Sequence, residues 1–151
     1  MNLGREAGKC AANTLTIVML AGVAFGVGVT RKDLHFKVGK HPMVSINNQY
    51  GPLRVKAGAA HQVLVTAILH SDKVEIDQGS RGNRVDLVSH LLAGSDETSG
   101  AVEYELTVPA DASLTLHSGN GAVHVEKLHG DVMMEGNNGP VEIVEIGRAH
   151  V

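Results

Sequence analysis

Apolar residues in this chain recur two apart, and between Leu114 and Ile143 the pairs themselves recur nine apart: Leu114/Leu116, Val123/Val125, Val132/Met134 and Val141/Ile143. In an extended strand, residues two apart share a face. Each pair therefore points to one side, while Thr115, His124, Met133 and Glu142 point to the other. Gly121, Gly130 and Gly139 each precede a pair by two residues, where the chain must turn sharply and a residue without Cβ is cheapest. The ladder predicts a stack of short strands joined by tight corners, with one row of side chains filling an interior. Leu116, Val125, Val132 and Ile143 are expected in that row, with Thr115, His124 and Glu142 outside it. Each rung buries two aliphatic side chains at roughly 1.5–3 kcal/mol apiece, which must offset the ordering of about nine residues at roughly 1–2 kcal/mol each. No rung is stable alone.

Upstream of the ladder, alternation with period two continues through Leu34/Phe36/Val38, Val44/Ile46, Leu53/Val55, Val63/Val65/Ala67/Leu69, Val74/Ile76, Val85/Leu87 and Val102/Tyr104/Leu106/Val108, so strand is predicted throughout. Turn signals separate these runs at 39–42, 47–52, 57–60, 79–83 and 94–100. Val44 to Leu53 is again a spacing of nine, whereas the steps from Leu53 to Val63, Val74 and Val85 stretch to ten or eleven, so a less regular stack is expected there. Leu87, Val88, Leu91 and Leu92 would also suit a helical turn, but the flanking pattern favours strand. A period of nine is compatible with parallel coils and with antiparallel hairpins, and Asn120-Gly121 and Asn138-Gly139 are good two-residue hairpin signals.

The N-terminus breaks the pattern. No charged residue lies between Cys10 and Thr30, and the stretch from Leu15 to Val29 is almost wholly apolar after Arg5 and Lys9. Residues 1–30 are therefore expected to be one hydrophobic helix serving as a signal peptide or membrane anchor. Gly22, Gly26 and Gly28 weigh against an ordinary buried helix, since each costs about 1 kcal/mol relative to Ala in a helix interior. Single Cys10 excludes an intrachain disulfide and a Cys-rich metal site.

Composition narrows the partners. The chain has 151 residues, 43% of them hydrophobic, with two Phe, two Tyr and no Trp. One domain with an aliphatic core is expected. A formal charge of −3 with nine His, and no basic cluster interleaved with aromatics, argues against nucleic acid.

Candidate chemistry is sparse. His117, His124 and His129 lie close in sequence, but no carboxylate or second His sits at a ligand-grade spacing, and they read as surface imidazoles. A calcium-binding nonapeptide turn would need an Asp after Gly119-Asn120-Gly121, where Ala122-Val123 follows instead. Glu103 and Glu105 share an outward face, and Glu126 and Glu135 are expected to stack nine apart on the outer side. Such carboxylates commonly serve to solubilise exposed strands. Tyr50 and Tyr104 are the only tyrosines, and Tyr104 is expected to point inward, leaving no aromatic platform for a sugar. No catalytic, cofactor-binding or metal-binding residue is assigned, and no cofactor is expected.

The segments Leu34-x-Phe36-x-Val38, Ile46-Asn47-Asn48 with Gly51-x-Leu53-x-Val55, and Tyr104-x-Leu106-x-Val108-Pro109-Ala110-Asp111-Ala112-x-Leu114 leading to Ser118-Gly119-Asn120-Gly121 resemble the bacterial "putative-adhesin" family, which includes head domains of auto-transporter adhesins. The resemblance runs from about Leu34 to Ile143. It implies an all-β exported envelope protein built as a right-handed, single-stranded β-helix or β-solenoid, here with about nine residues per strand and corner, after an N-terminal hydrophobic helix. It supplies no catalytic residues. Residues 31–144 are thus expected to be an incomplete domain of this kind. Residues 145–151 resemble the peptide encoded by one reading frame of a common sequencing adapter, and are expected to be a non-native tail.

The expected function is non-enzymatic: an interaction scaffold in the periplasm, at the cell surface or anchored to the membrane, binding an envelope protein or surface polymer. Membrane contact is expected through the N-terminal segment if it is uncleaved, and self-association at the open C-terminal end of the ladder. The alternatives are an envelope polysaccharide-active enzyme on a β-helix and an accessory sensor of an envelope-stress system.

Overall fold

The computed structural model describes residues 28–136, 138–144 and 148–150. They form twelve strands: β1 (Thr30–Lys37), β2 (Met43–Tyr50), β3 (Leu53–Gly58), β4 (Gln62–Leu69), β5 (Val74–Arg81), β6 (Arg84–Leu91), β7 (Val102–Pro109), β8 (Ser113–Asn120), β9 (Val123–Glu126), β10 (Asp131–Glu135), β11 (Val141–Val144) and β12 (Arg148–His150). There is no helix among the described residues. The expected hydrophobic helix over 1–30 lies outside them, apart from its last three positions, which run into β1. Of the expected tail 145–151, only the short β12 is described.

The strands build two six-stranded sheets around one core, sheet A in the order β1-β4-β7-β3-β9-β11 and sheet B in the order β12-β10-β8-β2-β6-β5. This overturns the expected right-handed, single-stranded β-helix. Both sheets are mixed: β1 with β4, β4 with β7, and β5 with β6 are antiparallel, whereas β2, β6, β8, β10 and β12 run parallel, as do β3, β7, β9 and β11. Nor are the layers in chain order. Leu53 lies beside Tyr104 on one side and Val123 on the other, so β3 is enclosed by strands far from it in sequence.

The spacings explain the departure. A step of nine carries the chain across to the opposite sheet, so the hydrogen-bonded neighbour of a ladder strand lies eighteen residues away: Leu114 pairs with Val132 and Val123 with Val141. Where the spacing stretches beyond nine, there is room for an antiparallel return. Arg81 faces Arg84 across the two-residue turn Gly82-Asn83, with φ +60° at Gly82, a geometry that matches the twist of a hairpin. Leu87 and Val88 lie in β6, as strand. Asn120-Gly121 and Asn138-Gly139 are corners between sheets, not hairpins.

Glycine is needed at those corners because of close stacking. A Cβ on Gly139 would collide with the carbonyl of Gly121, one on Gly121 with the carbonyl of Gly51, and one on Gly51 with that of Val102. Hydrogen bonds run along the same column, from Gly51 N to Asn120 O at 3.0 Å and from Leu53 N to Ala122 O at 2.9 Å.

The predicted alternation holds through the core. Leu116, Val125 and Val132 are buried, Ile143 is half-buried, and His124 and Thr115 lie on the outer side. Val141, expected inward with Ile143, is 40% exposed because β11 is the edge strand of sheet A among the described residues. Leu128 and Ala112, both at corners, complete the core. Besides the buried Ser118, three hydrogen-bonded polar groups also enter it. Ser89 Oγ donates to Asn48 Oδ1 at 2.8 Å and lies 3.0 Å from Tyr104 Oη, while Asn48 Nδ2 donates to the carbonyls of Val102 at 3.0 Å and Gly51 at 3.2 Å. This chain links the two sheets and satisfies groups whose burial would otherwise cost about 1–3 kcal/mol each. Burial pushes the Tyr104 hydroxyl up to about 12, so it remains a neutral hydrogen-bonding group.

Candidate functional site

The parallel register of sheet A converts side chains far apart in sequence into continuous outward rows. Asp33, Thr66, Glu105, Arg54, His124 and Glu142 stand side by side on β1, β4, β7, β3, β9 and β11. Two positions along each strand, Lys56 and Glu126 are neighbours. On the other side of the charged row are the short side chains of Pro52, Ala122 and Pro140. The difference in height leaves a shallow groove of about 550 Å³, lined by these residues and by Arg54, Lys56, Glu105, His124, Glu126 and Glu142.

Most charges along this face are engaged locally. Thr66 Oγ1 donates to Asp33 at 2.7 Å, and Arg31 Nε lies 3.1 Å from the same carboxylate. Lys56 Nζ is 3.6 Å from Glu105, and His70 Nε2 is 2.7 Å from Glu103. His124 lies between two carboxylates, with Nε2 3.4 Å from Glu126 and Nδ1 3.0 Å from Glu142. Both ring nitrogens act as donors only in the imidazolium. Hydrogen bonds to Glu126 and then to Glu142 accordingly raise the His124 pKa above its ordinary 6.5, against a smaller opposing effect of desolvation.

The three histidines singled out from sequence are not brought together. His124 faces outward on sheet A, and His117 faces outward on sheet B, 3.3 Å from Glu135. His129 lies at a corner, where its N–H donates to Ala110 O at 2.7 Å. Among the described residues no three His, Cys, Asp or Glu side chains are placed to hold a metal ion. The carboxylates Glu126 and Glu135, expected to stack on one outer side, lie on different sheets because nine residues cross the core. Glu103 and Glu105 do share the outer face of sheet A, Glu103 beside His70 and Glu105 beside Lys56.

Sequence reasoning missed the meeting of Arg54 with His124, since nothing local signals a pairing across seventy positions. It also missed the buried polar chain, although a signal was present: Asn48 and Ser89 continue the inward parity of Val44/Ile46 and Val85/Leu87.

No family model matches the chain, and no curated protein matches it in sequence. A solved structure shares its fold. A "putative cell adhesion protein" from Clostridium sporogenes matches at a TM-score of 0.50 and 11% identity, over 81% of this chain and 96% of its own. A "putative lipid binding protein" from Parabacteroides distasonis gives 0.38 and 10%, over 75% of this chain and 51% of its own. A "putative adhesin" from Bacteroides fragilis gives 0.36 and 11%, over 85% and 76%.

Proposed function

We propose that this chain is an exported cell-envelope protein of non-enzymatic, adhesin-like type, which presents the outer face of sheet A to another envelope protein or a surface polymer. The observation that carries this reading is the groove on that face. Its charged side chains are fixed in register by four parallel-paired strands, and the carboxylates there are engaged by Lys56 and His124. A rigid, shallow, polar surface of this kind suits the rim and register functions of an interaction site. The fold shared with a protein named for cell adhesion supports the same reading, as does the adhesin-family resemblance of the sequence. Residues 1–30 act in this proposal as signal or membrane anchor, residues 31–144 as the interaction domain and residues 145–151 as a non-native tail. The exposed Val141 and Val144 on edge strand β11 offer a surface for self-association.

Two measurements test the proposal. Fractionation of bacteria producing the chain should place it in the periplasm or envelope, and the purified chain should be retained by isolated envelopes without changing their polysaccharide. A soluble cytosolic chain with residues 1–30 intact would defeat the export reading, and release of reducing sugar from the envelopes would establish the enzymatic alternative.

A further inference from the structure

Six charged or titratable side chains line the groove on sheet A, and five are committed to one another: Lys56 with Glu105, and His124 with Glu126 and Glu142. Arg54 is the sixth. Among the described residues its guanidinium has no hydrogen bond and no ion pair, although it stands exposed in mid-row between Glu105 and His124. A guanidinium remains charged at every physiological pH and presents its N–H groups as a planar fork that matches a carboxylate.

The surroundings define what that fork can hold. Pro52, Ala122 and Pro140 make an apolar floor whose carbonyls are already used, accepting from Tyr104 N, Leu53 N and Val123 N at 3.0, 2.9 and 2.9 Å. An incoming chain therefore meets apolar surface there and finds its charged contact at Arg54. No Phe, Tyr or Trp side chain lines the groove, so a sugar finds none of the broad ring faces on which sugars usually stack. A volume of about 550 Å³ accommodates a few residues of extended peptide.

Resting on the interaction role proposed above, we infer that this groove binds an extended acidic peptide segment of a partner protein, with Arg54 gripping a side-chain carboxylate through its fork. With His124 protonated, the lining carries three cations (Arg54, Lys56, His124) and three carboxylates (Glu105, Glu126, Glu142), and an added carboxylate meets no net repulsion. With His124 neutral, one negative charge is in excess. The groups facing that ring are Glu126 on its own strand, Glu142 on β11 and Arg54 on β3. Affinity therefore falls as pH rises through the titration of His124.

The test is fluorescence anisotropy on the full chain with a labelled peptide of alternating threonine and glutamate. The same peptide with glutamine for glutamate and an oligogalacturonate, which carries the same carboxylate on a sugar, serve as the other arms. The glutamate peptide should bind. Arg54→Gln should weaken it by about tenfold or more, as loss of a charge-assisted bidentate contact requires, and Arg54→Lys should fall between because it keeps the charge without the fork. Unchanged thermal unfolding of both variants separates this loss from misfolding. Equal affinity for the glutamine peptide, undiminished binding by Arg54→Gln, or a preference for oligogalacturonate over peptide would overturn the inference. If Arg54→Gln is retained by isolated envelopes as well as the unaltered chain, the groove assignment fails while the interaction role stands. If the unaltered chain is not retained, the interaction role itself fails.

Discussion

The segment from β8 to β11 and the segment from β4 to β6 are made of the same alternating aliphatic strands, yet they are wound differently. In the first, every strand crosses to the opposite sheet and pairs in parallel with a strand eighteen residues away. In the second, the chain returns beside itself, β5 against β6 in antiparallel register around Gly82-Asn83. Side-chain alternation buries one face in either arrangement, so it does not distinguish them. The corner does. A ladder corner has another corner stacked directly against it, whereas the hairpin tip projects into solvent: a Cβ on Gly121 would strike the Gly51 backbone, and one on Gly82 would meet nothing within 4 Å.

The sharpest way to break this comparison is therefore to place the same side chain at both turns. Gly121→Ala combines a backbone collision with a strained φ of +150°, and is expected to cost about 3 kcal/mol or more in urea unfolding. Gly82→Ala pays only for its left-handed conformation, about 1–2 kcal/mol. Equal losses would show that the ladder corners are not stacked as described.

A smaller effect is expected where the two sheets are joined. Tyr104→Phe removes the hydroxyl that meets Ser89 while keeping the ring in place. Ser89 retains its bond to Asn48, so the expected loss is about 1 kcal/mol in the same urea assay. Asn48→Ala leaves the buried carbonyl of Val102 and the Ser89 hydroxyl without this partner and should cost more than Tyr104→Phe.

A gain is expected at Lys127, which occupies φ +60° at a ladder corner although it is not glycine. Lys127→Gly should stabilise the chain by up to about 1 kcal/mol, net of the greater backbone entropy of glycine in the unfolded state. The midpoint of thermal unfolding would show it.

The smallest effects are electrostatic, and they have opposite signs on the ladder and in the loop beyond the hairpin. His124, on the ladder, has its pKa raised by the hydrogen bonds to Glu126 and Glu142. Its contribution to stability is fully present below the unfolded value near 6.5 and is lost as pH rises through the higher folded value. Asp96, in the loop that follows the hairpin, accepts from Ser99 N at 2.7 Å, Ser99 Oγ at 2.8 Å and Thr98 N at 3.0 Å. The backbone and side-chain hydrogen bonds of Ser99 are the main cause of its lowered pKa. That contribution is present above the unfolded value of 3.8 and disappears as pH falls through the folded one. Replacing His124 with Gln should flatten the stability profile above pH 6.5, and Asp96→Asn should flatten it at the acid end. Both are measured by chemical unfolding across pH.

Much of the local structure was legible because strand alternation is written residue by residue. Leu34/Phe36, Val63/Val65/Ala67/Leu69 and Val102/Tyr104/Leu106/Val108 all point inward as their parity requires, and a slip by one residue would have exposed each set. The candidate site was far less legible. Arg54 and His124 each look like an ordinary exposed polar position, and only the pairing of β3 with β9 brings them together. The same applies to the separation of Glu126 from Glu135, which depends on which sheet each rung joins.

The sequence by itself determined the all-β character of the described residues and the face each strand side chain takes, because these depend on the two-residue period, whereas the turns expected at 47–52 and 79–83 begin only where β2 and β5 end, at Tyr50 and Arg81. Tertiary structure decided which strands became neighbours. Parallel and antiparallel partners bury the same aliphatic faces and satisfy the same backbone groups. The choice between them turned on contacts between distant segments: the stacking of Gly51, Gly121 and Gly139 at one corner column, and the burial of Asn48, Ser89 and Tyr104 as a single hydrogen-bonded chain between the sheets.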